Sequence, residues 1–140
     1  MVITKKDREA LFNKFDGKCA YCGCELKKGW HVDHFEPIWR GKRDVLDKNG
    51  KRIWDSEKHE YKSESFMYHP QNHNAENYMP ACASCNILKG GNNLEAFRSI
   101  IANFINSLNS YTNQYKFAKR YGLVEETNKP VVFYFEALNK

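Results

Sequence analysis

The chain has 140 residues, with 22 Lys and Arg against 17 Asp and Glu and a formal net charge of +5. Hydrophobic residues at 41% and aromatics at 14% mark a globular and not a disordered chain, and apolar runs that are short and broken by Asn exclude a bilayer-spanning helix. A chain of this length is expected to fold as one domain, 1–140, around a modest core, and its basic balance favours an acidic partner, nucleic acid first.

Thr4 is placed to cap a helix over about residues 5–15, with Ala10, Leu11, Phe12 and Phe15 as a partial apolar face and Gly17 as its stop. Cys19-Ala-Tyr-Cys22 and Gly23 then form a turn, and Trp30-His-Val-Asp33 reads as a short strand. Residues 39–76 are polar and poor in aliphatics, an insertion suited to specificity and not to core. Within it, Lys48-Asn-Gly-Lys51 predicts a tight turn joining Val45-Leu46 to Arg52-Ile-Trp54 as a hairpin. Asn77-Tyr-Met-Pro80 is extended and leads into Cys82-Ala-Ser-Cys85, where a helix starts near Ser84 and runs to Lys89 before Gly90-Gly91. Asn92 or Asn93 caps a helix over about 94–108, in which Leu94, Phe97, Ile100, Ile101, Phe104, Ile105 and Leu108 make a core-facing stripe. A helix near 112–121 follows, and Val131-Val-Phe-Tyr-Phe135 reads as a terminal strand.

Two Cys-x2-Cys units are each short enough to place both sulfurs on one tetrahedral ion. Met1-Val-Ile-Thr-Lys-Lys-Asp7 lacks the apolar core of a signal peptide, so a reducing, cytoplasmic compartment is expected, where paired cysteines read as metal ligands before disulfides. Cys19, Cys22, Cys82 and Cys85 are therefore assigned to one structural Zn2+. A closed thiolate shell organises the chain and leaves no position for catalysis. Cys24 is the leftover thiol, with substitution for Cys22 as its alternative use.

His31-Val-Asp-His34-Phe-Glu-Pro37, then Asn77-Tyr-Met-Pro-Ala-Cys82-Ala-Ser-Cys85-Asn86-Ile-Leu-Lys89-Gly90, resembles the HNH endonuclease family of ββα-metal (His-Me finger) nucleases. The resemblance covers about residues 17–91. It implies an α+β fold with a zinc-stapled ββα core, to which this chain adds flanking helices (the 92–140 extension) and a C-terminal strand. It also implies a DNA endonuclease in which His34 is the general base, Asp33 and Asn86 hold Mg2+ or Mn2+, and Asn77 braces a loop. Small stand-alone members of this kind are often encoded by phages or mobile elements.

The chemistry agrees with those residue types. An imidazole with a reference pKa of about 6.5 suits proton abstraction near neutrality, and a carboxylate oxygen suits Mg2+, which keeps several of its waters. Lys89 falls one helical turn after Asn86, where it is expected to meet a phosphate. One geometric demand follows. Neighbours in a regular strand face opposite ways, so Asp33 and His34 share a site only if the strand ends or bulges there.

His31 shares the strand face of Asp33 and is a candidate DNA contact; Arg40, Lys42 and Arg43 are candidates for the phosphate backbone. His69 and His73, four apart, would share a face only on a helix, against which Pro70 argues. Trp39 and Trp54 either pack under the insertion or stack on a base. The expected partner is DNA, without membrane association, bound by a monomer or homodimer. The competing reading is a non-catalytic zinc-containing nucleic-acid-binding module.

Overall fold

A computed structural model of the chain describes residues 3–139. Met1 and Val2, part of the N-terminal stretch read above, lie outside the described residues, as does Lys140. The architecture is α+β, with small antiparallel sheets and several helices. No helix among the described residues is long and apolar enough to cross a membrane.

Helix α1 (Lys5–Asn13) begins where Thr4 caps it. The Thr4 hydroxyl accepts from the Asp7 amide at 3.1 Å, and the Asp7 carboxylate accepts from the Thr4 amide at 3.1 Å. Gly17 turns the chain with φ +73°, and a Cβ there would strike the Phe12 ring at 2.8 Å. The cysteine turn follows, then strand β1 (His31–His34). The insertion forms β2 (Arg40–Asp44), β3 (Trp54–Asp55), β4 (Glu60–Tyr61) and β5 (Ser63–Met67). Two short 3-10 turns, Pro70–Asn72 and Ala75–Asn77, return the chain to β6 (Tyr78–Ala81). Next come α2 (Ala83–Lys89), α3 (Leu94–Tyr111), α4 (Asn113–Arg120) and α5 (Tyr134–Ala137).

Strand β1 pairs antiparallel with β6, His31 opposite Ala81 and His34 opposite Tyr78, and α2 starts two residues after β6 ends. The core lies behind this unit. Tyr21, Phe97 and Phe133 are its buried aromatics, with Tyr21 edge-on to both phenylalanines and those two stacked on each other. Pro80 donates no ladder bond, yet its carbonyl accepts from the Ala20 amide at 2.9 Å and ties β6 to the cysteine turn.

The insertion differs from the expected single hairpin. The turn forms at Lys48–Lys51, where the Asp47 carboxylate accepts from the Asn49 and Lys51 amides. Only one bridge, Leu46 to Arg52, pairs the segments beside it. The longer pairing is β2 with β5, Arg40 opposite Met67 through Asp44 opposite Ser63, followed by β3 with β4. The whole is an exposed two-stranded arm.

Two expectations in the C-terminal part need correction. Val131–Phe135 is no strand: it is extended to Phe133 and then coils into α5. The Glu136 carboxylate accepts from the Phe133 amide at 2.9 Å, and Arg98 clamps the same carboxylate at 2.7 and 2.9 Å while donating to the Val131 carbonyl. Capping and an ion pair thus override the β preference of Val-Val-Phe-Tyr-Phe. The α3 stripe also reaches the core only at its start: Phe97 is buried and Ile101 packs against the core, whereas Phe104 and Ile105 are exposed.

Candidate metal knot and adjoining cavity

Local geometry brings the cysteine pairs together. The Gly23 amide donates to the Cys19 carbonyl at 3.0 Å and Gly23 takes φ +75°, closing the first turn. The second pair opens α2, where the Cys82 sulfur accepts from the Cys85 amide at 3.4 Å. The C-terminal segment covers the first turn, with the Tyr134 and Phe135 amides donating to the carbonyls of Tyr21 and Ala20, each at 2.9 Å. The sulfurs of Cys19, Cys22, Cys82 and Cys85 all lie within 4.8 Å of one another.

This arrangement fits zinc. Tetrahedral sulfurs on Zn–S bonds of about 2.3 Å lie about 3.8 Å apart, and Cys22 and Cys82 sulfurs are 3.8 Å apart. The hydrogen bond with Cys85 pulls the Cys19 thiol down to about 4, and the same contact pushes Cys85 up. The four could bind one zinc ion through thiolates. Cys24 lies outside this group and is exposed, its thiol pushed up to about 12, chiefly by a hydrogen bond with Cys22.

The knot anchors both sides of a second site. Strand β1 ends at His34, as a shared site for Asp33 and His34 requires, and both residues line a cavity of about 260 Å³ with Pro37, Ile38, Trp39, Arg40, Gly90 and Gly91. Asp33 is buried. Its Oδ2 accepts from the Tyr21 hydroxyl and lies 3.1 Å from the Lys89 ammonium. Burial pushes the Asp33 carboxyl up, and the Tyr21 hydrogen bond and the Lys89 charge oppose that. Burial and the negative charge of Asp33 raise the Tyr21 hydroxyl, so it remains a donor.

Lys89 was expected to face a phosphate, and the structure corrects that expectation. Its side chain is fully buried, paired with Asp33 and donating to the His34 carbonyl at 2.9 Å. The last turn of α2 points into the β1–β6 unit here, so the ammonium serves the protein's own carboxylate. Lys89→Met leaves that carboxylate buried without its counter-ion, and a loss of about 3–5 kcal/mol is expected on chemical denaturation. Adding Asp33→Asn should recover part of the loss. A single variant as stable as wild type would mean that the pair is solvated.

Asn77 ties the loop after β1 to the strap that precedes β6. Its amide donates to the carbonyls of Glu36 and Asn72 at 2.8 and 2.7 Å, and its carbonyl accepts from the Glu36 amide at 2.8 Å. Asn86 lies on α2 one turn before Lys89 and is not part of the cavity wall. Of the basic candidates, Arg40 lines the cavity, and Lys42 is exposed on the arm. Arg43 is taken up within the arm, 2.7 Å from Glu64 and over the Phe66 ring. His31 is exposed at the start of β1. Trp39 and Trp54 both stay exposed; the Trp39 indole N–H donates to the Gly91 carbonyl, and Trp54 sits edge-on to Tyr61 in the arm.

His34 meets His73, which the spacing pairs only with His69. Its Nε2 is 2.9 Å from Nδ1 of His73, and Tyr78 stands edge-on to its ring. His69, by contrast, contacts Trp39, so the two insertion histidines separate. Burial, then the charges of His73, Arg40 and Lys89, pull His34 down to about 4. The folded ring therefore stays neutral where an unfolded one takes a proton near 6.5, and this disfavours folding as pH falls from about 6.5 toward 4. NMR titration of the zinc-loaded protein should give a His34 midpoint near 4; one near 6.5 would show a solvated ring.

Set against known proteins, the chain matches no family model, no curated protein and no solved structure.

Proposed function

We propose that this chain is a divalent-metal-dependent DNA endonuclease of the HNH class, with His34 as the general base. The observation that carries the reading is the junction of β1, β6 and α2. There Asp33 and His34 close one strand, share a cavity wall with Arg40, and lie beside a helix that opens from the four-cysteine cluster.

His34, kept neutral by burial, takes the proton of an attacking water. Asp33 would hold Mg2+ or Mn2+ through Oδ1, since Tyr21 and Lys89 occupy Oδ2; Asn86 is a ligand by family resemblance alone, because it lies outside the wall that Asp33 and His34 share. Such an ion, when bound, would supply positive charge at the departing 3′ oxygen, and cleavage on that side would leave 5′-phosphate and 3′-hydroxyl ends. Arg40 lines the same cavity and would meet the phosphoryl group there, and Asn77 keeps the loop after β1 in register.

The test is supercoiled plasmid incubated with Mg2+, Mn2+ or EDTA. Nicking or linearisation is expected with either metal and none with EDTA. An intact plasmid with every metal and substrate would leave the second reading, a zinc-containing nucleic-acid-binding module without catalysis. The Asp33–Lys89 pair favours that reading, because it already neutralises the carboxylate. DNA binding that falls steeply with salt is expected under both.

A further inference from the structure

We propose that His73 is the positioning residue for His34: it accepts the His34 Nε2 proton and thereby fixes Nδ1 as the nitrogen that takes the proton from water. The proposal rests on the nuclease reading above for its catalytic consequence, but not for the contact itself.

The geometry is that of an in-plane hydrogen bond. The ring planes are inclined by only 27°, the centroids lie 5.2 Å apart, and the facing nitrogens are 2.9 Å apart. Two rings stacked face to face would not bring those nitrogens edge to edge. Tyr78 closes another side, edge-on to His34 at 5.2 Å, with its hydroxyl 3.5 Å from the same His73 nitrogen.

His73 is held there by a built frame. It follows the Pro70–Asn72 turn, and its amide donates to the Pro70 carbonyl. The Asn72 amide group donates to the Pro37 carbonyl at 3.1 Å, and Asn77 bonds to Asn72 and Glu36 together. The strap that carries His73 is thus laced to the loop that follows His34. Asn77 gains a second role in this arrangement, because bracing that loop also presents His73.

A nitrogen–nitrogen contact of this length needs one N–H and one lone pair. If His34 is a base, its working nitrogen needs a lone pair, and Nε2 is already engaged. The Nε2 proton therefore points at His73 Nδ1, and the lone pair is on His34 Nδ1. When Nδ1 takes the water proton, hydroxide is left to attack, and the Nε2–H bond to His73 becomes charge-assisted and stronger. This is how a partner on the far nitrogen orients a catalytic imidazole.

The experiment uses zinc-loaded, 15N-histidine-labelled full chain. Long-range 1H–15N spectra report the His34 tautomer, and plasmid nicking reports kcat and KM. In wild type we expect the Nε2–H tautomer. His73→Phe keeps an aromatic ring but offers no acceptor; it should yield a mixed tautomer and lower kcat by about 10–100-fold with KM little changed. His73→Asn places a carbonyl oxygen near the position of Nδ1 and should restore both. An Nδ1–H tautomer in wild type, or an unchanged tautomer in His73→Phe, would overturn the proposal. The tautomer decides the His73 contact, whereas a wild type that nicks nothing would remove the nuclease reading alone.

Discussion

Zinc-depleted protein, and the Cys82→Ser variant, should lose the cooperative fold of the β1–β6–α2 unit. The buried hydrophobic core is small and clusters against the cysteine turn, with Cys19, Ala20 and Tyr21 as members and Phe97 and Phe133 as its largest apolar side chains. Cys82 stands at the junction of β6 and α2 and also caps the helix. Its loss detaches α2, and with it Lys89, from the strand that carries Asp33. Structural zinc contributes about 10–16 kcal/mol in zinc-finger peptides, comparable to the whole stability of an ordinary domain, about 5–15 kcal/mol. At roughly 3–4 °C per kcal/mol for a chain of this size, losing even 5 kcal/mol lowers Tm by about 15 °C or more. Calorimetry with parallel zinc analysis checks this. Cys24→Ser is the control and should keep both zinc and Tm, because Cys24 lies outside the four-sulfur group. An unchanged Tm after verified zinc removal would show that the apolar core suffices alone.

How far the sequence carried the reading depended on whether the signal was local. Thr4 with Asp7 names a capping box and Asn93 a helix start, since each acts within one turn of chain. Lys48–Lys51 names its turn for the same reason. Cys-x2-Cys is local within each pair, and joining the two pairs needed only the chemistry of zinc. Long-range partners were not legible. Nothing near Lys89 announces Asp33, and an exposed phosphate-binding lysine and a buried counter-ion have the same helical spacing. Val131–Phe135 has strand composition, but Arg98, more than 30 residues earlier, decides its conformation through Glu136. His73 stood out only as half of a pair with His69, whereas its partner lies 39 residues away. Tyr21 was hidden differently: it sits inside the cysteine motif, where attention goes to the sulfurs.

His34→Ala should lower the nicking rate by about 10²–10⁴-fold, the range a positioned general base contributes. KM should stay within a few-fold, because the proposed phosphate contacts are elsewhere, on Arg40 and Lys42. The zinc knot should be unaffected: His34 ends β1 on the side of His73 and Tyr78, and the sulfurs group at the opposite end of α2 from Lys89. Tm and zinc content therefore separate this loss from unfolding. The variant also opens space beside Tyr78, and added imidazole should restore part of the rate if the missing group is a proton acceptor. Asp33→Asn makes the comparison sharper. It removes the proposed metal ligand's charge and strands Lys89, so it should lose stability as well as rate, while His34→Ala should lose rate alone. Equal nicking by wild type and His34→Ala would end the assignment of the base, and if both are silent while DNA binding persists, the chain is a binding module.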